Sequence, residues 1–294
     1  MIVRSGARFR GLAAAAATVG VVALAMIVAP IATAAPDEGS GNGQAPAKSL
    51  AIRPGVVTES EGGGGGCTSN FIFTSGDRTF IGQAAHCAGT GDATETNGCN
   101  SGSAPIGTVV VIKANDGTDR VGKLAYSSWL TMQKIGETDV NACQFNDFAL
   151  VELSAADKAD INPTVPFFGG PTGLDRGGVA EGEQVFSYGN SPLRQGVSEL
   201  SPKSGQNVGD FGGGWSHEVV TPLTPGVPGD SGSGFLDSDG DAMGVLSTLN
   251  LAPLPGTNGV VDMAMALDYA NAHGGLGKIE LVLGTRGDGS SGAA

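Results

Sequence analysis

The residues of this chain best suited to chemistry lie in three short words: Ala84-Ala85-His86-Cys87, Asp147-Phe148-Ala149-Leu150 and Gly229-Asp230-Ser231-Gly232-Ser233-Gly234. They supply a histidine, an aspartate and a serine, in that order. A serine hydroxyl is a poor nucleophile at neutral pH until an imidazole takes its proton. A carboxylate must then hold that imidazole in the right tautomer and stabilise its charged form. The chemistry that needs all three is acyl transfer. Each word alone has a plainer reading. His86 could be a buried histidine beside a disulfide, Asp147 a strand-edge carboxylate, and Gly-Asp-Ser-Gly a turn, since all three residue types favour turns. Their order along one chain argues against three separate coincidences.

With these words the chain resembles the trypsin/chymotrypsin-like serine proteases, most closely the secreted bacterial ones, over Cys67 to Leu283. The resemblance implies His86, Asp147 and Ser231 as the catalytic residues. It implies an oxyanion hole from the backbone N–H groups of Gly229 and Ser231. It also makes Ser247, at the end of Phe235–Ser247, the serine that supports Asp147. The family pairs a cysteine before the histidine word with the one after it, which implies Cys67–Cys87 and leaves Cys99–Cys143. A departure is Ser233-Gly234 where the family usually has Gly-Pro. In animal relatives the residue at Asp230 pairs with a freshly cut N-terminus beginning Ile-Val-Gly-Gly. No such tetrapeptide stands before Cys67, so the partner of Asp230 is left open.

The resemblance further implies a specificity pocket with its floor near Pro225 and its wall at Thr248 and Leu249. No aspartate stands at that floor, and Leu249 occupies a place where the family often has glycine. A small or apolar residue before the scissile bond is therefore expected. The implied fold is all-β: two antiparallel six-stranded barrels with the site between them and a C-terminal α-helix. The implied function is a secreted serine endopeptidase acting on polypeptides, with no cofactor and no metal. Two alternatives remain: a catalytically silent binding protein on the same fold, or a narrow-specificity esterase or protease.

Composition sets further bounds. The 294 residues suffice for one large domain or two lobes, and 50 glycines point to many turns between short strands. The net charge of −13 repels phosphate backbones and excludes nucleic acid as an expected partner. Arg4, Arg8 and Arg10 precede an apolar run from Gly11 to Ile31 and a small-x-small site at Ala32-Thr33-Ala34. Residues 1–34 thus read as a signal peptide, or as an uncleaved anchor that would place the protein on a membrane. The expected location is extracellular or at the cell envelope; the oligomeric state is left open. Four cysteines in an exported chain suggest two disulfides, for which three pairings exist. No Cys-x-x-Cys spacing supports zinc.

Residues 35–66, rich in Pro, Gly and Ser, read as a linker or short pro-segment, 67–285 as the protease domain and 286–294 as a disordered tail. Strands are expected at 70–74 and 79–82 around Ser75-Gly76-Asp77-Arg78, at 108–113 and 120–126 around Ala114-Asn115-Asp116-Gly117, at 148–153, 184–188 and 217–221. Residues 162–178 read as the crossover between lobes, and Asp262 to His273 as the one clear helix. Three other groups of residues have competing readings. Ser231, Asp262 and His273 follow the order of an α/β-hydrolase triad, but the second glycine of that fold's motif is Ser233. Asp237, Asp239 and Asp241 suggest calcium, but Ala242 stands where the loop needs glycine. His217 has no carboxylate in its local pattern and reads as an ordinary strand residue.

Overall fold

The computed structural model describes residues 50–92, 96–250 and 256–285. The expected signal peptide, residues 35–49 of the expected linker and the expected tail lie outside them. The chain first forms β1 (Val57–Ser60), β2 (Gly66–Thr68), β3 (Ile72–Ser75), β4 (Arg78–Gln83), β5 (Val109–Lys113) and β6 (Asp119–Ser127). Helices α1 (Ser128–Ile135) and α2 (Val140–Phe145) follow, then β7 (Ala149–Glu152). After a long irregular crossover come β8 (Gln184–Tyr188), β9 (Pro202–Phe211), β10 (Ser216–Val220), β11 (Gly234–Leu236), β12 (Ala242–Leu249) and β13 (Asn258–Asp262). Helix α3 (Met263–His273) and the short β14 (Glu280–Leu281) end the fold. No helix among the described residues is long and apolar enough to cross a membrane.

The strands form two antiparallel bodies. The second is a closed six-stranded barrel in the order β10-β13-β12-β11-β8-β9. The first is an eight-stranded sheet, β14-β3-β4-β7-β6-β5-β1-β2, in place of the six strands anticipated. Two segments enlarge it. Leu281 of β14 pairs with Phe73, and β1 lies between β2 and β5. The linker reading of 35–66 therefore does not hold from residue 50 onward. Ala51, Ile52 and Val56 are fully buried, and Ile52 bridges to Ile161. In β1 the inward residues are the polar Thr58 and Ser60, so the segment lacks the apolar alternation that marks a strand.

Local signals explain most elements. A two-residue Gly76-Asp77 loop joins β3 to β4, with Gly76 at φ +55°. The β5–β6 turn is closed by Asp116, whose Oδ1 accepts from the Thr118 amide and hydroxyl. Asp139 caps α2 and Asp262 caps α3, the latter accepting from the Met265 amide at 2.7 Å. Asp237, Asp239 and Asp241 form the β11–β12 turn, in which Asp237 Oδ1 accepts from the amides of Asp239 and Asp241. Where the two bodies meet, Phe73, Phe80 and Phe148 of the first join Val245, Val261, Met263 and Leu267 of the second in one apolar cluster.

Two disulfides form, Cys67–Cys87 and Cys99–Cys143. The first ties β2 to the turn that carries His86; the second ties the turn at 97–101 to α2, just before Asp147. Cys99 and Cys143 are 44 residues apart. Loop entropy assigns such a bridge about 4 kcal/mol through the unfolded chain. The double variant Cys99→Ser/Cys143→Ser should lose about that much in urea unfolding. A loss below about 1 kcal/mol would show that the unfolded chain is already constrained there.

Candidate active site

His86 lies in a 3-10 turn, Ala85–Ala88, directly after β4. Ala84, Ala85 and Ala88 are buried around it, so small side chains let the turn sink between the sheet and Trp129 while the imidazole stays partly open. Asp147 lies between α2 and β7, and Ser128 fixes the backbone on both sides of it. The Ser128 hydroxyl donates to the Asn146 carbonyl at 2.8 Å and accepts from the Phe148 amide at 3.1 Å. Nothing in the sequence reading singled out Ser128; a serine at the start of α1 carries no motif.

The Asp147 carboxylate gathers three donors. Oδ1 accepts from the His86 amide at 2.8 Å, and Oδ2 accepts from His86 Nδ1 and from Ser247 Oγ, each at 2.6 Å. An ionised carboxylate only accepts, so in the neutral imidazole the proton is on Nδ1 and Nε2 keeps its lone pair. Burial works to raise the Asp147 carboxyl, but the His86 charge and hydrogen bond, with help from Ser247, hold it below the ordinary carboxylate range. Burial likewise works to lower His86, and the Asp147 charge and hydrogen bond outweigh it, so the imidazole titrates above its ordinary value.

Ser231 sits in the loop before β11. His86, Asp147, Ser231 and Ser247 all line one cavity of about 490 Å³. Among the described residues Ser231 Oγ has no hydrogen-bond partner. The loop's carbonyls are held by the first sheet: Thr68 Oγ1 donates to Gly229 O at 2.8 Å, the Thr68 amide to Ser231 O at 2.8 Å, and Asn70 Nδ2 to Gly232 O at 3.1 Å. The amides of Asp230, Gly232 and Ser233 are also bonded. Those of Gly229 and Ser231 have no partner among the described residues. The carbonyl trans to each is occupied on the opposite side, Pro228 O by the Ser191 hydroxyl and Asp230 O by the Ser233 amide. Gly229 is at φ +96°, and a Cβ there would stand 2.8 Å from Pro192 and 2.9 Å from the Ser191 hydroxyl, so no other residue fits. At Gly232, φ +88°, a Cβ would lie 2.6 Å from the Thr68 carbonyl.

The structure supplies the partner that sequence left open for Asp230. Its carboxylate is fully buried, with Arg194 Nη2 at 2.5 Å and Lys203 Nζ at 2.9 Å from Oδ2. The Ser191 and Val227 amides complete its shell. Burial works to raise this carboxyl, and the Arg194 hydrogen bond and the Lys203 charge overcome it and keep it ionised below the ordinary range. Lys203 is inward-facing in β9, a strand that sequence missed because it alternates Lys203, Gly205 and Asn207 inside, with no apolar stripe.

Thr248 and Leu249 line the cavity, together with Gly226, Val227 and Pro228. Pro225 is not on the lining; its carbonyl accepts from Arg194 instead. Asn258 closes the space behind Gly226: Oδ1 accepts from the Gly226 amide, and Nδ2 donates to the carbonyls of Gly226 and Thr248. The glycine run, read as linker, supplies Gly64, Gly65 and Gly66 to the opposite rim. The rival triad does not assemble. Asp262 caps α3 and accepts from His217 Nε2 at 3.1 Å, while His273 stacks on Tyr269. His217 lies in strand β10 as read, but it is not without carboxylate partners: it is buried and joins Asp210, across from it on β9, and Asp262. Cys67 and Cys87 lie near His86 in reach of a common point, but their sulfurs form a disulfide and offer no thiolate to a metal.

Asp230→Asn would leave Lys203 and Arg194 buried without a counter-charge. The expected loss of stability is about 3–5 kcal/mol, read by urea unfolding. Adding Lys203→Met should recover part of it. A single variant as stable as the parent would show that the cluster is not what holds this loop.

No protein-family model matches the chain, and no curated protein matches it. Solved structures of bacterial serine proteases are similar to it at low identity. Thermobifida fusca Protease A is 17% identical with a TM-score of 0.48, over 79% of this chain and 99% of that one. A Glu endopeptidase solved with MPD is 17% identical with a TM-score of 0.48, over 78% of this chain and 91% of that one. A glutamic acid specific serine protease is 15% identical with a TM-score of 0.46, over 74% and 96%.

Proposed function

We propose that this chain is a secreted serine endopeptidase that cleaves polypeptides through an acyl-enzyme on Ser231. The observation that carries the reading is the line Ser247–Asp147–His86, with Nε2 left unprotonated on the cavity that Ser231 and two unbonded amides share. Ser231 Oγ attacks the substrate carbonyl carbon while His86 Nε2 takes its proton. The carbonyl oxygen becomes an oxyanion that the Gly229 and Ser231 amides receive, as preorganised dipoles that need no reorganisation. When the tetrahedral species collapses, the C–N bond breaks and His86 returns the proton to the leaving amine. Water, deprotonated by His86, then releases the acyl group and restores Ser231. The Ser231–His86 hydrogen bond forms as substrate excludes water, since such bonds are often absent without ligand.

Two disulfides and the expected signal segment support export. The domain assignment accompanying this reading is a protease domain that begins at or before Ala51 and runs to residue 285. Asn258 behind Gly226, with Leu249 on the wall, supports a small or apolar residue before the scissile bond.

A fluorophosphonate should label Ser231 alone, as read by peptide mass spectrometry; a folded sample that stays unlabelled would favour a silent binding protein. Asp147→Asn should lower turnover of a small peptide ester by about 10⁴, and Asp262→Asn should not. In the parent protein, activity needs neutral His86, whose pKa is raised. The acid limb of kcat/KM should therefore lie above about 6.5. It should move to lower pH in Asp147→Asn, which removes the charge that raises it. A limb at or below the ordinary imidazole value, unmoved in the variant, would remove His86 from the role of base.

A further inference from the structure

A second cavity, of about 210 Å³, adjoins the first and shares Thr96, Ser247, Thr248 and Asn250 with it. At its base is Glu218, in β10 and only 8% exposed. Across the sheet Glu218 faces Gly259, and Gly259 in turn faces Thr248. With no side chain on the middle strand, the glutamate reaches toward the cavity without obstruction. Asn250 Nδ2 lies 2.7 Å from each carboxylate oxygen, and Thr257 Oγ1 also donates to Oε1. These donors are neutral. Among the described residues no lysine, arginine or histidine forms an ion pair with Glu218. A carboxylate this buried is stabilised far more by a cation than by neutral donors alone.

The rest of the cavity fits the missing cation. Phe145 and Phe211 line it, offering apolar and π surface to the methylene stem and charged head of a long basic side chain. Gln144 Nε2 donates to Thr96 Oγ1 at 2.8 Å and closes part of the rim. Among the described residues the two cavities together carry Asp92, Asp147 and Glu218 on their linings and no lysine or arginine. The net charge of −13 adds to the attraction for cations.

We infer that the Glu218 cavity is a subsite for a lysine or arginine side chain of the polypeptide, lying a few residues before the scissile bond. The side of the bond follows from the shared wall, since Thr248 also lines the pocket assigned to the residue that precedes it. The inference rests on the proposed polypeptide-binding role of the first cavity.

The test measures binding, so that it does not depend on turnover. Fluorescent peptides carrying Lys, Arg, norleucine or Glu at each of the four positions before a fixed bond are titrated against Ser231→Ala by anisotropy. At one position, Lys and Arg peptides should bind at least about tenfold tighter than norleucine, which matches lysine in shape without its charge. Glu should bind weakest, and the preference should shrink with salt. Adding Glu218→Gln should bring Lys down to the norleucine level. Equal binding of Lys and norleucine at all four positions, no binding of any peptide, or a preference that survives in folded Glu218→Gln overturns the inference. If Glu218→Gln does not fold, the Lys and norleucine comparison decides alone. Fluorophosphonate labelling of the parent protein separates the two readings. Labelling without a Lys preference removes only the subsite, and a Lys preference without labelling removes only the hydrolase.

Discussion

The Asp147 carboxylate is the interaction on which the rest of the site depends, because it is where the two halves of the molecule meet in a single charge. Two of its donors belong to His86 of the first sheet and one to Ser247 of the second barrel. A carboxylate so deeply buried is tolerable only while all three are present. Any shift between the sheet and the barrel lengthens at least one of these bonds. The apolar cluster of Phe73, Phe80 and Phe148 with Val245, Val261 and Met263 supplies the resistance to such a shift. Packing across the boundary and the orientation of one imidazole are thus the same problem.

A second buried charge shapes the serine loop. Asp230 draws Arg194 and Lys203 from the barrel, while Thr68 and Asn70 of the first body hold the loop's carbonyls. The loop is therefore fixed from both sides, and its two unbonded amides are the remainder of a nearly complete hydrogen-bond account. All of these contacts come from within the chain between Thr68 and Leu246. Within the described residues the Asp230 carboxylate already has its counter-charges in Arg194 and Lys203.

Much of this is legible in the sequence. The three words, the hairpins at 72–83 and 109–127, β8, β10 and the capped helix α3 all follow from turn residues, caps and apolar spacing. The two disulfides and Ser247 followed from the family pattern. What escaped has a common physical cause. β1 and β9 bury Thr58, Ser60, Lys203 and Asn207 in place of apolar residues, so period-two hydrophobicity never appears. The glycine run at 62–66 looks like linker because glycine composition reports flexibility in a free chain; here Gly63 lies so close to the Cys87 carbonyl that a Cβ would stand 2.6 Å from it. Arg194 and Lys203 for Asp230, and Asp262 for His217, are distant in sequence, and no local window contains them. Pro225 stands six residues before Ser231 in an irregular loop between β10 and β11, where spacing alone does not set which residues face the cavity.

The strand β14 carries a consequence for how such a molecule is made. It is the last element among the described residues, yet it pairs with β3, near the start of the first sheet. Between them in sequence lies the whole second barrel. As the polypeptide is synthesised, the outer edge of β3, with Ile72 and Phe73, has no neighbour until residues 280–282 emerge. An open edge of that kind is a template for pairing with other chains. The first sheet cannot finish folding as an independent early unit, and its completion is delayed until nearly the entire chain is available. The two bodies that look separable in the structure are for that reason one unit in time.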